Sequence, residues 1–164
     1  MGDLLFYLSK EIEIAKENAI KSDLLQKHGS VLICNGQIFT GYNHFTPGKN
    51  YITIHAEEDA IGKFINMCRK KYWADTYIRK KLKKATLITI RVKNDEIKCS
   101  APCHNCIQMI RNYEIKHIIY SNNVEQENSL ENNVVIQKKK VRDIENRPSS
   151  GYRWRDKLKL NRRD

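Results

Sequence analysis

Two short segments constrain this chain more than anything else in it. The first is His55-Ala56-Glu57 and the second is Pro102-Cys103-His104-Asn105-Cys106. One imidazole and two thiols suit a tetrahedral zinc ion, which takes N and S ligands. Cys103 and Cys106 stand three residues apart, so a helix presents both sulfurs on one face. Ile107, Ile110 and Tyr113 continue that helical spacing, and Pro102 suits a helix start. His55 opens a similar run through Ala60, Ile61, Phe64, Ile65 and Cys68. The fold must therefore bring two helix starts to one point. Positive partial charge at a helix N-terminus also favours thiolate over thiol.

The charges at such a point have chemical consequences. Zinc, two thiolates and a neutral imidazole sum to zero, and three protein ligands leave a fourth position for water. The pKa of water held there is lowered. Glu57, two residues from a ligand, is placed to move protons between that water and a substrate. As a fourth ligand it would close the open position. A structural zinc site is the alternative, with Cys99 or His104 as the fourth ligand, but it gives no reason for Glu57 and Pro102 to stand where they do.

The pattern H-x-E followed by P-C-x-x-C resembles the cytidine deaminase-like superfamily of cytidine, deoxycytidylate and tRNA adenosine deaminases. The resemblance covers roughly residues 1–121. It implies a three-layer α/β/α fold around a five-stranded mixed sheet. It also implies zinc on His55, Cys103 and Cys106, with Glu57 as catalytic proton shuttle. Backbone contacts to the base are implied from Ala56 and near Cys103. Thr40-Gly41-Tyr42-Asn43 resembles the end of the second strand in deoxycytidylate deaminases, which makes Asn43 a sugar contact. Free-cytidine deaminases often carry Glu two residues after that Asn, where this chain has Phe45. Relatives often form dimers or tetramers, so a homo-oligomer is implied as well.

The 164 residues suit one domain. No apolar run approaches the ~20 residues of a membrane span, which argues against a membrane partner. The start shows no basic flank with an apolar block, and five cysteines with two given to a metal point to a reducing, cytoplasmic setting. Cys34 and Cys68 lie in apolar patterns and read as buried small hydrophobes.

Leu4, Leu8, Ile12, Ala15 and Ala19 form the stripe of a first amphipathic helix. Val31–Cys34 and Gln37–Thr40 flank Asn35-Gly36, a strong hairpin signal. Residues 43–54 read as a loop before the first ligand, and Phe45 or His44 there is a candidate for stacking on a base. Thr86–Val92 and His117–Tyr120 read as strands joined through the second motif, hence parallel. Asn94 to Ser100 reads as a polar loop. Val134–Ile136 is a fifth strand. The family joins strands four and five either through a helix or by a turn, and no helical period between 122 and 133 favours the antiparallel form.

The charge is uneven. Residues 138–164 hold eleven Lys and Arg against four Asp and Glu, so +7 of the chain's +11 lies in this segment. Residues 1–137 thus read as a deaminase domain and 138–164 as a basic C-terminal tail. An anionic partner and a solvated tail both fit such a segment. Arg69 to Lys84 holds eight Lys or Arg in sixteen residues, interleaved with Tyr72, Trp73 and Tyr77. Basic residues among aromatics suit single-stranded nucleic acid. An amphipathic helix docked on the core, with its lysines in water, is the preferred reading.

The function expected is hydrolytic deamination of cytosine in a free nucleotide or nucleoside such as CMP or dCMP, giving uracil and ammonia. The alternatives are a deaminase acting on cytosine or adenine in RNA or single-stranded DNA, and a non-catalytic nucleotide- or nucleic-acid-binding module with structural zinc.

Overall fold

The computed structural model describes residues 8–124 and 133–145. Helix α1 (Ser9–Ile20) leads into strand β1 (Lys27–Cys34) and β2 (Gln37–Tyr42). A small hairpin of β3 (His44–Thr46) and β4 (Lys49–Ile54) follows, then α2 (Ala56–Lys70) and α3 (Asp75–Leu82). Strands β5 (Thr86–Lys93) and β6 (Glu96–Lys98) precede α4 (His104–Asn112), β7 (His117–Val124) and β8 (Asn133–Lys140). A 3-10 turn at Val141–Asp143 closes the described chain.

The main sheet runs β2-β1-β5-β7-β8, with β6 paired on β5. Among the described residues only β5 and β7 pair in parallel, and α4 lies between them in sequence. The other pairings, β7 with β8 included, are antiparallel. The five expected strands form this path and β6 adds a short sixth. Asn35 and Gly36 both take positive φ, 54° and 73°, as a two-residue I′ turn requires.

The sheet separates two apolar layers. Ile12, Ala15 and Ala19 of α1 pack with Val31, Ile88, Ile90 and Ile119. On the other face, α2, α3 and α4 bury Phe64, Ile78, Leu82, Ile107 and Ile110 against Leu32, Leu87 and Ile118. Cys34 and Cys68 are buried among these side chains, and burial pushes the Cys34 thiol up to about 11. They fill space in the core, as their apolar neighbours imply.

Four expectations need adjustment. Residues 43–54 are not one loop: Pro47-Gly48 makes a tight turn, with Gly48 at φ 74°, and β3 pairs with β4 around it. Residues 94–100 likewise contain β6, turned back by Asn94 and Asp95 at φ 51° and 61°. The basic run 69–84 is not one helix, because α2 ends at Lys70 and α3 starts at Asp75. Finally, the line drawn between 137 and 138 falls inside β8, and Val141 and Ile144 lie in the core. Leu4 and residues 146–164 lie outside the described residues.

Candidate metal and catalytic site

His55 and Cys103 occupy equivalent places, each the residue that caps the N-terminus of a helix in extended conformation. Cys106 lies in the first turn of α4. The His55 Nδ1 is 3.2 Å from the Cys106 Sγ and 3.5 Å from the Cys103 Sγ. Zn–N near 2.0 Å and Zn–S near 2.3 Å in tetrahedral geometry put N and S ligands about 3.5 Å apart. The donor set and its spacing therefore fit zinc, with His55 binding through Nδ1. Among the described residues the ligand atoms drawn together within 4.8 Å belong to these three side chains. Cys99 instead meets the Asn122 Oδ1, and His104 is exposed, so neither completes a four-ligand set.

The three side chains are tightly coupled. The hydrogen bond with Cys106, and then that with His55, lower the Cys103 thiol to about 4. The bond with Cys103 raises His55 to about 9. The same thiolate, together with burial, pushes Cys106 up. Glu57 is 4% exposed on the inner side of α2, and burial raises its carboxyl above the ordinary range. A carboxyl there can hold a proton or release it, as a shuttle must.

Backbone contact fixes the height of α2 above the sheet. A Cβ on Gly41 would lie 2.3 Å from the Ala56 carbonyl oxygen and 2.5 Å from the Ala60 nitrogen. Glycine in the Thr-Gly-Tyr-Asn stretch thus lets the first turn of α2 rest on β2. Further along, the Phe64 ring meets Phe39 edge-on at 5.3 Å. From Phe64 to Ala56 the helix therefore advances over the sheet from the Phe39–Leu32 row to the Gly41–Ser30 row. Two residues beyond, on the same face, lie Asn43, His28 and Arg91, the last two in direct register. This row lies under the His55 end of α2.

Asn43 is buried, and its side chain clasps the chain entering β1. Its Nδ2 donates to the Gln26 carbonyl at 2.6 Å, and its Oδ1 accepts the His28 N–H at 2.7 Å. Its own carbonyl accepts from the Ser22 hydroxyl at 2.6 Å. One amide N–H and one lone pair remain for other contacts. Ala56 is fully buried, and Phe45 stands half-exposed on β3 opposite Thr53. His44 tilts against Tyr42 and lies 4.0 Å from Asp59.

Nothing in the sequence singles out His28 and Arg91. Burial first, and then the charges of Arg91 and His55, lower His28 to about 4, against the Gln26 carbonyl and Cys103, which raise it. Its Nδ1 lies 3.3 Å from the Gln26 carbonyl. The approach to Cys103 is also built from afar. Ser100 donates to the Thr89 carbonyl at 2.6 Å and meets the Ser121 hydroxyl at 2.7 Å. These bonds return the chain to the sheet after β6, just before Pro102.

Two helix N-termini over a mixed sheet, with a His-Cys-Cys metal group and a buried Glu, define a zinc-deaminase architecture. The sequence profile of the cytidine and deoxycytidylate deaminase zinc-binding region matches residues 5–122, and the chain belongs to this family. Cytidine deaminase from Burkholderia pseudomallei is similar in fold, with TM-score 0.55 at 14% identity, over 83% of this chain and 94% of that one. A mutant cytidine deaminase from Mycobacterium tuberculosis matches at TM-score 0.42 and 15% identity, over 64% of this chain and 76% of that one. No curated protein sequence matches the chain.

Proposed function

We propose that this protein hydrolyses the exocyclic amine of cytosine in a free nucleotide or nucleoside, giving uracil and ammonia. The observation that carries this reading is the buried Glu57 carboxyl beside the His55, Cys103 and Cys106 ligand atoms. A zinc ion held by these three residues supplies a Lewis acid that lowers the pKa of a water molecule in the open position. Glu57 would take a proton from a water molecule attacking C4 and pass it to the ring nitrogen N3. It then carries the second proton to the departing amine, so ammonia leaves neutral. Ala56, in the first turn of α2, offers a backbone N–H for the base carbonyl. Asn43 holds the β1 entry and keeps one N–H for a sugar, while Phe45 flanks the base from β3. Two of the five cysteines serve the metal group and two fill the core, which supports a reducing, cytoplasmic setting.

The test is ammonia release by zinc-loaded protein from cytidine, CMP, dCMP, adenosine and guanine. Release from cytosine compounds alone is expected. Release from a purine alone would replace the base assignment. A non-catalytic module with structural zinc would release nothing from any substrate, with zinc still bound.

A polynucleotide substrate is the second reading, and one surface favours it. Tyr72 is 96% exposed and held at φ 57°, between α2 and α3. In the same segment Arg69, Lys70, Lys71, Lys80 and Lys84 are exposed, and no carboxylate among the described residues pairs with them. Ile78 and Leu82 anchor α3 beneath this surface, so a docked helix and an anion-binding face coexist. Binding of a labelled single strand, weakened by Tyr72→Ala and by salt, would support this reading. Absence of binding at low salt would exclude it.

A further inference from the structure

Arg91 differs from the cations on the outer surface. Among the described residues its buried Nε has no hydrogen-bond partner, and no carboxylate forms an ion pair with it. Residues 87, 89 and 91 of β5 alternate away from the α1 layer, which takes Ile88, Ile90 and Val92. Arg91 thus lies on the same face as α2 and α4, in register with His28, at the row reached by the His55 end of α2. Neighbouring strands are about 4.8 Å apart, so Arg91 is one strand away from His28.

We propose that Arg91 binds the phosphate of the substrate, and that this contact makes the protein a deaminase of cytosine nucleotides in preference to nucleosides. The inference rests on the deaminase reading above. The argument is one of charge and shape. Zinc with two thiolates and a neutral imidazole is electrically balanced and leaves the guanidinium uncompensated. His28 stays neutral at pH 7, because burial and Arg91 itself depress its protonation. A cytosine nucleotide carries its formal negative charge on phosphate, while its base is neutral. A guanidinium presents a planar fork of donors that meets two phosphate oxygens at once. Asn43 lies beside His28, its N–H donating to the His28 carbonyl at 3.1 Å, so the guanidinium and the residue proposed to hold the sugar flank the same His28.

The experiment compares kcat/KM for CMP and for cytidine in wild-type, Arg91→Gln and Arg91→Lys proteins of equal zinc content. The ratio of CMP to cytidine is expected to fall roughly ten- to a hundredfold in Arg91→Gln, as for loss of a charge-assisted hydrogen bond, and to recover in part in Arg91→Lys. A ratio that does not change overturns the proposal. So does an equal fall for both substrates, which would assign Arg91 to holding the site together. A four-nucleotide single strand with one internal cytosine separates phosphodiester from monoester, and an Arg91-dependent preference for it keeps the contact and changes the source. Calorimetric titration of CMP, cytidine and inorganic phosphate into the same proteins separates this inference from the deaminase reading. Arg91-dependent binding of CMP without turnover would leave the phosphate site standing and remove the activity. CMP binding that ignores Arg91 would remove the site whether or not turnover occurs.

Discussion

Glu57 is a carboxyl placed where burial works against its charge. Glu58, its neighbour on the same helix, faces solvent instead. In Glu57→Gln the shape survives and the proton transfer does not. Turnover is expected to fall by roughly 10²–10⁴ with zinc content unchanged, checked by kinetics beside metal analysis. Retained turnover would move the shuttle elsewhere. His28 makes a separate prediction. Its folded pKa is depressed to about 4 from an ordinary 6.5. The unfolded chain therefore binds a proton between those values and the folded chain does not. Stability falls as pH drops from 6.5 to 4, by up to about 3 kcal/mol from this residue. Urea denaturation across that window should show a shallower fall in His28→Gln, and identical slopes would contradict the assignment. The grouping of His55, Cys103 and Cys106 is readable from the sequence because each motif is short and local. That of His28 with Arg91 is not, since only the pairing of β1 with β5, 63 residues apart in sequence, makes them neighbours.

At the scale of elements, the position of α2 decides whether the ligands meet. The helix rests on Gly41 through backbone atoms, so there is no flexible side chain to move aside. Gly41→Ala should cost about 1–3 kcal/mol, as overpacking does, and should weaken zinc binding through the adjacent His55. Urea midpoints and a zinc-competition titration check both effects. An unchanged midpoint would mean that the helix rides free of β2. The long elements were readable, because α2 and β5 have strong periodicity or β-branched runs. In the sequence the small hairpins β3–β4 and β5–β6 read as loops. Their signals were turn residues, Pro47-Gly48 and Asn94-Asp95, among polar strands with little apolar alternation. The antiparallel partnership of β7 and β8 followed from the missing helical period. The extension of β8 to Lys140 did not, because three consecutive lysines resemble a tail until Val141 and Ile144 are seen in the core.

For the whole molecule, one metal group joins α2 and α4, two of the helices that cover one face of the sheet. A ligand that binds only the folded chain stabilises it in proportion to its affinity and concentration. Zinc-loaded protein should therefore melt above the chelated protein, and Cys106→Ala should remove that increment. Equal melting temperatures for the loaded and chelated forms would show that the three ligands do not hold zinc in the folded state. The charge of +11 acts at a longer range. It favours anionic partners and makes their association fall with salt.

The most direct test of the account is the change at C4 itself. Zinc-loaded wild-type and Glu57→Gln proteins, matched for metal content, are incubated with CMP and with cytidine, and uracil product and ammonia are counted together. The account predicts equal amounts of both products from the wild type, and at most about one hundredth of that rate from Glu57→Gln. A wild-type protein that binds one zinc ion per chain and forms neither product from either substrate would contradict it.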